Sequence, residues 1–264
     1  MELATILNKW SILKFLWTAN VLATALVVWR LYSIKLHRIY RFFFASIALA
    51  VVRSAVLYPF SPRGNTYYVI WSVTEPFIWV SYVLVVSELY SLTLRQYTGI
   101  RSVGRSFFFI AVAISVVLSA LTIFTTMAAG RAIFPFFYFY SLMERGVATS
   151  LAIFLFLLLL MVTWFAVPLS RNLLTHCYVY SIYFFANNIV FLYRHLGGAD
   201  AAYFSSISKL CVGLICLWCW FFLLSEAGAK RVASLHLGRS PLQEQRLLGQ
   251  LESLNATLLR TVRK

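Results

Sequence analysis

The sequence predicts an all-α integral membrane protein, a bundle of seven transmembrane helices. The N-terminus is placed outside, the C-terminus in the cytoplasm, and an amphipathic helix ends the chain. Three observations predict this. Hydrophobic residues make up 61% of the 264 and charged residues 12%, against about 45–50% and about 25% in soluble domains. Seven apolar runs approach the roughly 20 residues, range about 17–25, that a bilayer-spanning helix needs. Lysine and arginine are unevenly shared between the two sets of connections, which sets orientation.

The runs, taken in order, are Ser11–Tyr32, Phe42–Tyr58, Tyr67–Leu92, Ser106–Thr126, Gly146–Val167, Leu173–Leu192 and Phe204–Leu224. They are continuous rather than alternating, so helices are expected instead of the strands of a membrane barrel. The first has no small-residue cleavage site before Arg30 and Lys35, and reads as a membrane helix rather than a signal peptide. The second has 17 residues and contains Arg53, which makes it the weakest of the seven. The third has 26 residues and contains Pro76, a kink signal. The longest connection runs from Met127 to Arg145, and its stretch Pro135–Tyr140 reads PFFYFY, an interfacial aromatic segment.

One set of segments, including the tail, carries fifteen lysines and arginines. The opposite set carries six: Lys9, Lys14, Arg63, Arg131, Arg145 and Arg194. Arg53 and Lys209 fall inside helices. The net charge of +15 therefore reads as orientation and as attraction to anionic inner-leaflet lipids, not as a nucleic-acid face. The four cysteines, three of them in the last run, suggest neither a disulfide nor a metal site.

Residues 1–224 form the predicted membrane domain and residues 225–264 a basic tail. A helix is expected from about 241, where Ser240, Pro241 and Gln243 form a start signal. Leu247, Leu251, Leu254 and Leu258 then repeat on one face. Two readings stay open. The stripe forms a short coiled coil for a homodimer or a protein partner, or it lies on the anionic inner leaflet.

Ionisable and polar groups inside a membrane are costly, so each is a functional candidate. At 1.5 Å per residue, Arg53 lies about 8 Å, Glu75 about 12 Å, Asn187 and Asn188 about 6–8 Å and Lys209 about 8 Å below the outer helix ends. Glu144 and Arg145 stand at the outer mouth of the fifth run. This suggests a ligand pocket in the outer half of the bundle. The structural reading pairs Arg53 with Glu75, lets the asparagines bridge helices and lets Lys209 snorkel to the interface. Glu88, near the inner end of the third run, is a switch candidate or an ordinary interfacial carboxylate.

Several chemistries recede. His37, His176, His195 and His236 fall in loops, at a helix border or in the tail, and the only aspartate, Asp200, falls outside the runs, so no intramembrane metal site is expected. No phosphate-binding or nucleophile-elbow motif occurs, and neither an enzyme activity nor catalytic residues are expected. A lysine on the seventh helix with a carboxylate on the third resembles the retinal proteins, which implies a Schiff base on Lys209. The chain departs from them at Ser205, Ser72 and the run Leu217–Leu224. Retinal is therefore an outlying reading, and no cofactor is the main one.

Trp71, Glu75, the SELY of Ser87–Tyr90, the LRQYTGIRSVGR of Leu94–Arg105 and the leucine-rich basic tail resemble an uncharacterised group of bacterial seven-helix inner-membrane proteins. That group has no established activity. The resemblance implies topology and a bacterial plasma membrane, with no catalytic role. The expected function is receptor-like or sensory, with output through a partner. A small-molecule transporter, built as a 3+1+3 repeat, and a non-catalytic scaffold are the alternatives.

Overall fold

In the computed structural model the chain is almost wholly helical, described for residues 2–60, 64–128, 135–165, 167–196, 198–230, 232–233 and 241–262. Its long helices are α1 (Glu2–Ser33), α2 (Arg41–Leu57), α3 (Asn65–Thr93), α4 (Thr98–Ala128), α5 (Pro135–Trp164), α6 (Arg171–Leu196) and α7 (Gly198–Leu223). A 3-10 turn at Leu36–Arg38 joins α1 to α2. A short α8 (Glu226–Lys230) and the tail helix α9 (Pro241–Val262) follow. Strands β1 (Leu169–Ser170) and β2 (Val232–Ala233) pair antiparallel.

Each apolar run falls mainly on one of these helices, although Tyr58, Val167 and Leu224 lie past the ends of α2, α5 and α7, and several helices extend beyond their runs. Backbone hydrogen bonds do not stop where hydropathy does. The largest difference is at α5, which starts at Pro135 and takes in the whole PFFYFY stretch. A proline at a first helical position loses no bond, because that N–H has no partner within the helix anyway. Glu144 and Arg145 therefore sit about 14 Å along α5, not at its mouth. Asp200, expected outside any helix, lies in the first turn of α7. Ser240 and Arg63 fall outside the described residues.

Four helices, at Ser11–Ser33, Asn65–Thr93, Leu142–Trp164 and Tyr203–Leu223, are long and apolar enough to cross a membrane. They point to a helical membrane protein. Surface composition agrees. On α3, Val69, Val73, Phe77 and Val80 recur along one exposed face, with Val73 62% exposed, while Glu75 is 5% exposed. A carboxylate inside and valines outside suit a lipid surround, in which outward apolar groups carry no penalty. At 1.5 Å per residue α2 reaches only about 26 Å, short of a core about 30 Å thick.

The chain divides into two compact units, Met1–Tyr82 with Ile182–Leu224, and Val83–Ser181 with Ser225–Lys264. In the first, α1 packs on α2 and α7. Asn20 Nδ2 donates to its own Leu16 carbonyl (2.9 Å) and to the Leu210 carbonyl of α7 (3.0 Å). Gly213 keeps this crossing close, since a Cβ there would lie 3.1 Å from Asn20 Oδ1. Arg30 donates to the Leu224 carbonyl (3.1 Å) just past the end of α7 and covers the Phe221 ring. Phe43 and Trp220 meet edge to face, 5.0 Å apart.

In the second unit, α4 packs on α5, and Phe108 meets Phe154 at 4.3 Å. Asn172 is fully buried and bonds the Ser225 backbone in both directions, at 2.7 Å and 3.3 Å. The start of the tail is thus tied down. So is its end: α9 packs on α4, Leu251 is 2% exposed, and Asn255 Oδ1 accepts from the Gly99 N–H (2.8 Å) and the Ile100 N–H (3.3 Å). Those are free N–H groups of α4's first turn, so α9 supplies α4 with its cap. Leu254 is left exposed.

Candidate functional site

The polar cluster of the first unit is built on one face of α3. Glu75, Ile78 and Tyr82 are spaced three and four apart, so they share that face. Arg53 reaches it from α2. Its Nη2 pairs with Glu75 Oε2, and its Nε donates to Thr74 Oγ1 at 3.0 Å. The two side chains are 15% and 7% exposed, so each would carry a heavy desolvation penalty alone. Thr74 passes its own proton back to the Ile70 carbonyl at 2.8 Å. The Tyr67 hydroxyl lies within electrostatic reach of Arg53 and Glu75. About two turns from the pair, Ser46 and Ser81 bridge α2 and α3 at 2.8 Å.

Tyr82, two turns along α3 from Glu75, meets Tyr183 of α6 hydroxyl to hydroxyl at 3.1 Å. Tyr82 also lies within electrostatic reach of Lys209 and Glu75. Asn187 stands one turn from Tyr183, is buried, and donates Nδ2 to the Tyr183 carbonyl at 2.9 Å. Its Oδ1 is buried with no hydrogen-bond partner among the described residues. One turn further, Phe191 carries the Lys209 ammonium, 5.1 Å from the ring centroid. Asn188 is half-buried and bonds the Phe184 carbonyl of its own helix at 2.8 Å.

Arg53, Glu75, Asn187, Asn188 and Lys209 thus belong to one unit. Glu88, Glu144 and Arg145 belong to the other. Glu88 and Glu144 are half-buried and Arg145 is exposed. Thr74, Tyr67, Tyr82, Tyr183 and Phe191 join the cluster, although the sequence marks none of them. Tyrosine and phenylalanine are common in apolar runs, and hydropathy does not separate those facing lipid from those facing other helices.

Among the described residues no three histidine, cysteine, aspartate or glutamate side chains are grouped so as to hold a metal ion. His176 lies inside α6, fully buried, rather than at a helix border. The four cysteines are free thiols.

No known protein family, curated protein or solved structure matches the chain.

Proposed function

We propose that the chain is a receptor-like or sensory protein of the bacterial inner membrane. All of α1 to α7 cross the bilayer, the N-terminus lies outside, and the tail faces the cytoplasm. A small lipophilic ligand binds among Arg53, Glu75, Asn187 and Lys209. Its binding shifts helices, and α9 passes the shift to a partner. One observation carries the ligand site. In a cluster whose charges are otherwise engaged, Asn187 Oδ1 is a buried acceptor without a donor among the described residues. Such an atom carries a desolvation penalty that a ligand hydroxyl, amide N–H or ammonium would remove.

The test is thermal melting of the full chain in nanodiscs against a panel of hydroxyl- and amide-bearing amphiphiles. Compounds that raise the wild-type Tm are expected to lose that effect in N187L and in the E75Q/K209A double variant. If the variants respond as the wild type does, the pocket reading fails and the cluster is structural. Substrate flux in proteoliposomes would move the reading to a transporter. Reporter fusions at residue 264 that are active only on the outer side would reverse the orientation.

A further inference from the structure

The connection between α1 and α2 has a feature that the ligand site leaves unused. Lys35 has φ 57° and ψ 16°, the left-handed region, and it is the only non-glycine residue with positive φ among those described. An L-residue enters that region against steric resistance, which glycine does not meet. Lys35 makes no side-chain capping bond that would explain the choice. A strained residue where glycine would serve points to a use for the side chain.

The surroundings indicate the use. Lys35, Arg38 and Arg41 are all exposed, and Arg41 Nε donates to the Arg38 carbonyl at 3.3 Å. Buried Leu36 and Tyr40 anchor the turn beneath them. Trp29, Tyr32 and Phe42 are exposed beside them. The turn begins where the candidate membrane span Ser11–Ser33 ends.

No acidic residue occurs between Glu2 and Glu75. The first unit holds three acids, Glu2, Glu75 and Asp200. Glu2 opens α1 and Asp200 opens α7, whereas the turn follows the end of α1, where Arg30 meets the end of α7. At 1.5 Å per residue both acids lie more than about 30 Å away along their helices. Glu75 is held by Arg53, about 18 Å along α2 from Arg41. Among the described residues no ion pair involves Lys35, Arg38 or Arg41, so all three are open to an external anion.

We propose that the α1–α2 turn is a binding site for the headgroup phosphate of an anionic phospholipid, held by Lys35, Arg38 and Arg41. The acyl chains lie along Trp29, Tyr32 and Phe42. Arginine forks and a lysine ammonium suit phosphate oxygens. The exposed rings suit the boundary between headgroup and hydrocarbon. Arg30 is not part of the site, because its guanidinium is directed to Leu224 and Phe221.

Lys35→Gly separates charge from backbone, since glycine accepts the turn without strain. The full chain in detergent is titrated with palmitoyl-oleoyl phosphatidylglycerol or the matching phosphatidylcholine, and retained lipid is counted by native mass spectrometry. The wild type is expected to bind the anionic lipid more tightly. K35G is expected to weaken that binding about fivefold, and R38A/R41A about 25-fold, without changing phosphatidylcholine binding. K35G is also expected to melt at an equal or higher temperature.

The proposal is overturned if the two lipids bind alike, or if K35G binds phosphatidylglycerol as the wild type does. A lower Tm in K35G would assign Lys35 to the fold instead. Equal weakening by R246A, which removes an exposed tail charge, would reduce the effect to bulk charge. Displacement of the lipid by equimolar inorganic phosphate would make this a site for the free ion.

Discussion

Arg53 of α2 and Glu75 of α3 form an ion pair in the polar cluster of the first unit, with Thr74 holding the other edge of the guanidinium. The pair lets a short helix carry an arginine among apolar neighbours. Removing one partner leaves a buried charge unmatched, which is worth about 3–5 kcal/mol, whereas replacing both by apolar residues of similar volume is often neutral. R53M and E75L are each expected to lower stability strongly, and the R53M/E75L double variant to recover most of the loss. Denaturant titration in mixed micelles checks this as a double-mutant cycle. Additive losses would mean that the pair is not coupled.

Gly104 of α4 is expected to resist substitution. A Cβ there would lie 1.9 Å from the Tyr90 hydroxyl oxygen. Tyr90 is buried and donates to the Ile100 carbonyl at 2.9 Å, so its ring cannot simply swing away. Alanine in a helix gains at most about 1 kcal/mol over glycine. Overpacking loses typically about 1–3 kcal/mol, and the hydrogen bond about 1 kcal/mol more. The clash wins, and G104A is expected to lower the Tm. Y90F/G104A should be milder than G104A, since the nearest clashing atom is gone. A Tm of G104A at or above wild type would refute the steric account.

Asn255 caps a helix that is not its own. N255A is expected to cost about 1 kcal/mol, within the 0.5–2 kcal/mol seen for capping residues, and to free α9 from α4. Limited proteolysis of the 241–262 region should accelerate in N255A. L254A, at an exposed position of the same helix, should leave the rate unchanged. Equal rates in N255A and wild type would mean that Leu251 alone holds the helix.

The same docking site carries a pH dependence. Burial raises the Tyr97 phenol above its ordinary 10.0, and the nearby Glu252 carboxylate adds to the shift. The folded state thus holds the proton more tightly than the unfolded chain. Its contribution to stability is complete below pH 10 and is lost as pH rises from there through the higher folded value. Melting of the wild type should fall from pH 10 upward more steeply than that of Y97F. Parallel curves would remove Tyr97 from the account.

The sequence by itself determined the helical membrane class, because hydropathy over 20 residues is a local property and lipid rewards it wherever it occurs. It also identified Arg53, Glu75, Asn187, Asn188 and Lys209 as costly, since a polar group within an apolar run stands out without knowledge of its neighbours. Partners were decided by tertiary structure alone. Tyr82 meets Tyr183 across 101 positions of chain, and Asn255 reaches Gly99 across 156. No local pattern encodes such separations. The leucine stripe of α9 was legible, but its neighbour was not: amphipathicity shows that a face will be covered, and only packing shows that α9 lies on α4, with Leu251 buried and Leu254 open.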